Sequence, residues 1–342
     1  MLKNENEIEY QKVTNERLRM FTVQHEITWD LGTLLSTMQI EQHEAIQKSH
    51  EISRNNYQSE SEFQKALKTS VLKKVEFFLL RMENEEVDLF KKIIQEKQYK
   101  FDLNDFVRAD NLMASGLIFL VMDNHLPYAL VPDEVVEVYG QINQEAFLVQ
   151  KKKIDLIYAY AVASVNLYGV ISLQQLTEIF NEHNDKTTTS EEIKSILTHY
   201  ATETPVGLLD GDYFKPEHFI THEDGTAELL AQQKGKPRYV PEKTVFLKNT
   251  NPEYFQTTSE IQKLENFLKK VINRPEELEN LMKELQFALK IDLDVKEITK
   301  IFDCYEFASS FKEEQVSTLL LNAGRTTRRW EHLGYSLADL EK

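Results

Sequence analysis

The sequence predicts a mostly α-helical chain with two short β-hairpins set among its helices. Three observations carry this. Gly (10) and Pro (8) are scarce in 342 residues, which leaves few of the turns that sandwiches and barrels need. Apolar residues recur at spacings of three and four along much of the chain, as in Phe63, Leu67, Val71 and Val75. Short apolar runs flank turn dipeptides at Asp123-Asn124 and Asp210-Gly211.

In chain order, residues 5–31 read as one amphipathic helix or two. Residues 34–82 read as helix, polar loop (Ser53 to Ser61) and helix. Residues 83–140 open with a helix marked by Val87, Phe90, Ile93 and Ile94. Short helices follow at Phe101–Phe106 and Asp110–Ser115, with Gly116 as a stop. Leu117–Met122 and Tyr128–Val131 form a hairpin, and Pro132-Asp133 starts a further helix. The order repeats: a helix over Ile154–Leu167, a short strand, a helix N-capped by Ser172, a helix opened by Thr189, and a hairpin around Asp210-Gly211. Helices followed by a hairpin form the pattern of a winged-helix unit. Residues 232–258 read as a linker. Helices starting at Ser259, Pro275, Val295 and Glu313 make a four-helix set. The expected architecture is therefore an N-terminal helical segment (1–82, with a distinct part 34–82), two winged-helix-like modules with short β-hairpins (83–150 and 151–232), and a linker with a C-terminal helical domain (233–342).

The net charge of −16 is uneven: residues 83–234 carry 12 basic and 26 acidic side chains, and so nearly all of the excess. That bias opposes phosphate backbones and anionic lipid surfaces. Cys304 is the sole cysteine, so no disulfide within the chain and no cysteine knuckle can form. Its default role is a buried structural thiol. No apolar run reaches the roughly 18 residues of a membrane span, and the polar, acidic start differs from a signal peptide. A cytoplasmic protein with no membrane partner is the expectation.

Three segments resemble a family of uncharacterised Gram-positive bacterial proteins. One is the tail, with Thr327, Arg328, Trp330, Gly334, Ser336 and Leu340; the family's ending is roughly Asn-Thr-Arg-x-Trp-x-x-x-Gly-x-Thr-Pro-x-Glu-Leu, and here no Pro follows Ser336. The second is Lys236-Pro237-Arg238-Tyr239-Val240-Pro241, with Glu253-Tyr254-Phe255 after it. The third runs from Gly116-Leu117-Ile118-Phe119 to Val131-Pro132-Asp133-Glu134-Val135. Members often begin with a segment similar to the N-terminal domain of transcription termination factor Rho, which residues 34–82 resemble. Many end in a SEC-C zinc knuckle, for which this chain lacks the cysteines. The resemblance implies an architecture rather than an activity.

No phosphate loop, Gly-x-Gly-x-x-Gly or Gly-x-Ser-x-Gly occurs, so no catalytic residue and no cofactor is expected. His218 and His222, four apart, and the pairs His43-Glu44 and His50-Glu51 lack the company that metal ligation needs, and no metal site is expected. The candidate nucleic-acid residues are Lys65, Lys68, Lys73, Lys74 and Arg81 in the Rho-like segment, with Arg325, Arg328 and Arg329 in the tail. Each has a plainer alternative, as a solvated helix face or as a cap for the preceding helix, with Trp330 packed into the four-helix set. The acidic third-helix positions argue against groove binding by the two modules. The leading expectation is a non-enzymatic regulatory or adaptor protein with a protein partner. Nucleic-acid binding through residues 34–82, and an acidic inhibitor mimicking the charge of DNA, are the alternatives.

Overall fold

The computed structural model describes residues 22–23, 27–102, 105–124, 126–200, 206–216, 223–307 and 313–342. They are mostly helical and divide into two compact units. Unit 1 holds the described residues up to Asp155 together with His199 and Tyr200, and unit 2 holds the rest. Among the described residues no helix is long and apolar enough to cross a membrane.

Unit 1 runs β1 (Thr22–Val23), α1 (Leu31–Thr37), α2 (Ile40–His50), α3 (Glu60–Lys73), α4 (Val75–Leu79), α5 (Asn84–Glu96), β2 (Tyr99–Lys100), α6 (Asp105–Ala114), β3 (Phe119–Asp123), β4 (Leu126–Leu130) and α7 (Asp133–Gln141). Ser59 caps α3 by accepting from the Glu62 amide, and the four-residue spacing places Phe63, Leu67 and Val71 on one fully buried face. The stop at Gly116 is a Schellman turn. The Leu117 amide reaches the Leu112 carbonyl and the Gly116 amide the Met113 carbonyl, with Gly116 at φ +71°. A Cβ there would meet Val71 and Ile46 at 3.2 and 3.3 Å, so glycine also permits the close approach of α2 and α3. The sheet order is β1-β3-β4-β2, with Leu120 opposite Ala129 in the hairpin.

Two expectations are corrected in this unit. Most of residues 5–31 lie outside the described residues, but Thr22–Val23 is a strand parallel to β3, not helix. The short helices expected at 101–106 and 110–115 are one helix, α6, because Asp105 can start a turn that Phe106, Ala109, Leu112 and Met113 continue with a single buried stripe.

The boundary between the units falls inside α8 (Gln144–Tyr168). This helix starts ten residues before the expected one. Its first turns are largely exposed, Phe147 and Lys151 excepted, and so carry no clear apolar period.

Unit 2 continues with β5 (Ile171–Ser172), α9 (Leu173–His183), α10 (Ser190–His199), β6 (Gly207–Asp210), β7 (Tyr213–Pro216), α11 (Glu223–Gln233), α12 (Lys243–Phe246), α13 (Ser259–Leu268), α14 (Pro275–Lys290), α15 (Val295–Ile301), α16 (Glu313–Thr326) and α17 (Leu337–Leu340). Ser172 and Gln175 form a reciprocal capping box at the start of α9. The sheet order is β5-β7-β6. In both units a lone short strand pairs with the second strand of a later hairpin: β2 with β4, and β5 with β7.

The four helices α13 to α16 enclose a core of Leu264, Leu268, Leu281, Leu285, Ile298, Leu320 and Ala323, all fully buried. The segment read as a linker is structured. It contains α12, a 3₁₀ turn over Leu247–Thr250, and Phe246, which is fully buried. The cap of α13 is Thr258, whose hydroxyl accepts from the Ile261 amide, rather than Ser259. Cys304 is exposed, not buried: it ends a 3₁₀ turn over Phe302–Cys304 in which Phe302 takes the inward position.

Candidate functional site: a cation–aromatic cavity

The eight basic residues singled out for nucleic-acid binding do not form one face. Five belong to unit 1 and three to unit 2. Lys68 is held 2.5 Å from Glu134 and 3.7 Å from Asp30, and that pairing raises its pKa. Lys74 donates to the His50 carbonyl at 3.3 Å. Arg81 lies 3.8 Å over the Phe77 ring and donates to the Phe77 carbonyl. Arg325 pairs with Glu341, Arg328 with Asp339, and Arg329 with Asp292 and Glu331. Lys65 and Lys73 remain exposed on α3, beside a shallow groove that Tyr57, Glu62, Ala66, Thr69 and Ser70 also line.

Among the described residues no cluster of three or more His, Cys, Asp or Glu side chains gathers as a metal site. His218 and His222 lie outside the described residues. His43 contacts Gln47. His50 is buried, with Nδ1 2.9 Å from the Ser70 hydroxyl and Nε2 3.0 Å from the Ser115 carbonyl. Burial pushes its pKa down to about 4. The carbonyl can only accept, so Nε2 carries the proton and Nδ1 accepts from Ser70.

In unit 2, two of the segments that carry the family resemblance meet around one cavity. Tyr239 and Pro241, Tyr254 and Phe255, and Thr327 and Arg328 line it. The backbone is held by long-range bonds. The Tyr239 amide donates to the Leu333 carbonyl at 3.0 Å, and the Tyr168 hydroxyl donates to the Tyr239 carbonyl at 2.8 Å. Trp330 is buried against Val170 and Leu229, apart from the four-helix core. Its indole donates to the Asn166 carbonyl at 3.0 Å. Gly169, at φ +78°, makes room for it: a Cβ there would lie 2.7 Å from the indole. Gln233 bridges the carbonyls of Tyr168 and Trp330 at 2.7 and 2.8 Å.

Three cations of this unit stack on three rings. The Arg328 guanidinium is 3.6 Å from the Tyr239 centroid, that of Arg238 is 5.2 Å from Tyr168, and the Lys290 ammonium is 4.3 Å from Phe255. Arg328 is further fixed by Gln256, the Gly334 carbonyl and Asp339. Lys290 ends α14 and is 7% exposed, yet no carboxylate among the described residues pairs with it. Burial pushes its pKa down to about 8.

Arg328 is thus a tail residue that serves the cavity through Tyr239. Lys290 was missed in the sequence because a lysine in the last turn of an amphipathic helix is an ordinary choice. The signal that could have found it is its place directly after Leu289, at the edge of the buried stripe of α14.

No family model matches the chain, and comparison with curated proteins and with solved structures returns no match.

Proposed function

We propose that this is a non-enzymatic regulatory or adaptor protein that acts by binding another protein. The observation that carries the reading is the state of its cations. Six of the eight basic side chains that nucleic-acid binding would use are engaged within the chain by carboxylates, carbonyls or rings, Arg325 by a surface pair with Glu341. Large apolar side chains stay outside instead: Leu148 and Val149, at 51% and 50% exposed, sit side by side on the first turns of α8. In both 83–150 and 151–232 a helix and a lone strand precede a hairpin whose second strand pairs with that lone strand, with one helix between them in 83–150 and two in 151–232. This supports reading them as two winged-helix-like scaffolds used for docking, and the acidic charge of that stretch disfavours a phosphate backbone.

Lys65 and Lys73 favour the nucleic-acid reading as the second choice, since both remain exposed beside Tyr57. The DNA-mimic reading has less support. Glu86 bonds Asn111, Glu134 holds Lys68, Asp105 accepts from Tyr99 and Asp155 from Tyr200, so these carboxylates serve the fold rather than a ridge.

The test has two arms. A photo-crosslinking residue at position 149 is expected to give one dominant protein adduct in cells, lost with Leu148→Glu. Fluorescence anisotropy with labelled DNA and RNA is expected to show no salt-steep binding. Binding that falls steeply with salt and disappears in the double variant Lys65→Glu, Lys73→Glu, with no adduct at position 149, would replace this reading by the nucleic-acid one.

A further inference from the structure

Three lysines among the described residues are nearly withdrawn from water. Lys151 is 4% exposed and pairs with Asp155, one turn further along α8. Lys215 is 7% exposed and lies 2.6 Å from Asp210 across the second hairpin. Lys290 is equally buried but has no carboxylate partner among the described residues. A buried ammonium needs an opposite charge or a set of acceptors, and a ring face compensates only part of the lost hydration. Among the described residues a carboxylate stands at two of the buried lysines and none at the third.

The third also lines a cavity, of about 40 Å³. At about 10–15 Å³ for each water-sized group, that is room for roughly three heavy atoms. Most donors in the wall are already committed. The amides of Asn166, Asn249 and Gln286 and the hydroxyl of Thr327 all donate to backbone carbonyls. Asp339 answers the charge of Arg328. The uncompensated charge at the cavity is therefore a single positive one, on Lys290. One positive charge, and space for three heavy atoms, match the CO₂⁻ end of a monoanion better than a phosphate dianion with four oxygens.

We infer that unit 2 carries a receptor site for a small monocarboxylate, in which Lys290 meets the carboxylate over the face of Phe255 and Arg328 with Tyr239 forms the opposing wall. With its pKa pushed down to about 8, Lys290 is still mainly protonated at neutral pH, and a bound anion would hold it so to higher pH. The inference stands apart from the protein-partner reading: either can fail alone.

The test uses the full chain grown with [ε-¹³C]lysine, in chloride-free buffer, with acetate as the probe. The Lys290 signal is assigned by its loss in Lys290→Met, and those of Lys151 and Lys215 serve as paired references. Acetate is expected to move the Lys290 signal saturably and to raise its titration midpoint from about 8 toward the ordinary 10.5, with the references unmoved. A Lys290 signal that ignores acetate overturns the proposal. So does a shift shared by all lysines, which is an ionic-strength effect, or a saturable response to phosphate without one to acetate. All of these are read on the wild-type chain and need no variant beyond the assignment.

Discussion

His50 in unit 1 and Lys290 in unit 2 are both bases withdrawn from water, and burial lowers the pKa of both, to about 4 and about 8. Their surroundings differ. His50 has a partner on each ring nitrogen and the edge-on ring of Phe78 at 4.9 Å, so the neutral imidazole is complete where it stands. Lys290 has one ring and a cavity. A shifted pKa alone therefore does not separate a structural group from a site. What separates them is whether the protein itself finishes the set of partners.

The comparison breaks most visibly if His50 is dispensable. His50→Ala removes two buried hydrogen bonds and opens a cavity, and is expected to cost about 3–4 kcal/mol in urea unfolding. A loss below about 1 kcal/mol would mean that the network is not structural.

The second effect is acid lability. The unfolded histidine takes its proton near 6.5, the folded one near 4, so between those values the unfolded chain binds more protons. The stabilisation is fully present above the unfolded pKa and is lost as pH falls from 6.5 through 4, by roughly 3 kcal/mol. Urea midpoints across that range, compared with His50→Gln, isolate this contribution from the carboxylates.

The smallest effect is a stabilising substitution. The folded Lys290 releases its proton near 8 and the unfolded one near 10.5, so wild-type stability rises with pH between them, as it does for His50 between 4 and 6.5. Lys290→Met removes an unpaired buried charge, and at pH 7 is expected to stabilise the chain by about 1–2 kcal/mol, a gain that fades toward pH 10.5. Thermal melts at pH 7 and pH 10.5 check it. Destabilisation at pH 7 would show Lys290 to be as well served as His50, and the contrast would collapse.

Local rules made much of the fold legible. The Phe63–Val71 face, the Gly116 stop, the Ser172 cap, Pro275 at the start of α14 and both hairpins each depend on a few adjacent residues, and each is present. What escaped depends on distant partners. α12 has four residues and one fully buried apolar anchor, Phe246, too little for any period to register. The early turns of α8 are mostly exposed and show no face. The site was legible in part. Arg328 and Trp330 stood out in the tail, but their partners, Tyr239 and Asn166, lie far away along the chain. Lys290 had one faint local mark, its place directly after Leu289 at the edge of the buried stripe, because a lysine is usual at a helix end and the packing around it makes it unusual.

The hydrogen bond from Trp330 to the Asn166 carbonyl spans 164 residues. At a synthesis rate of roughly 5–20 residues per second, Trp330 leaves the ribosome about 10–30 s after Asn166. For that interval the notch at Gly169 has no indole to fill it, and Val170 and Leu229 lack the ring that covers them. The nascent chain thus carries an apolar seam that only late synthesis can close, the kind of transiently exposed surface that chaperones cover.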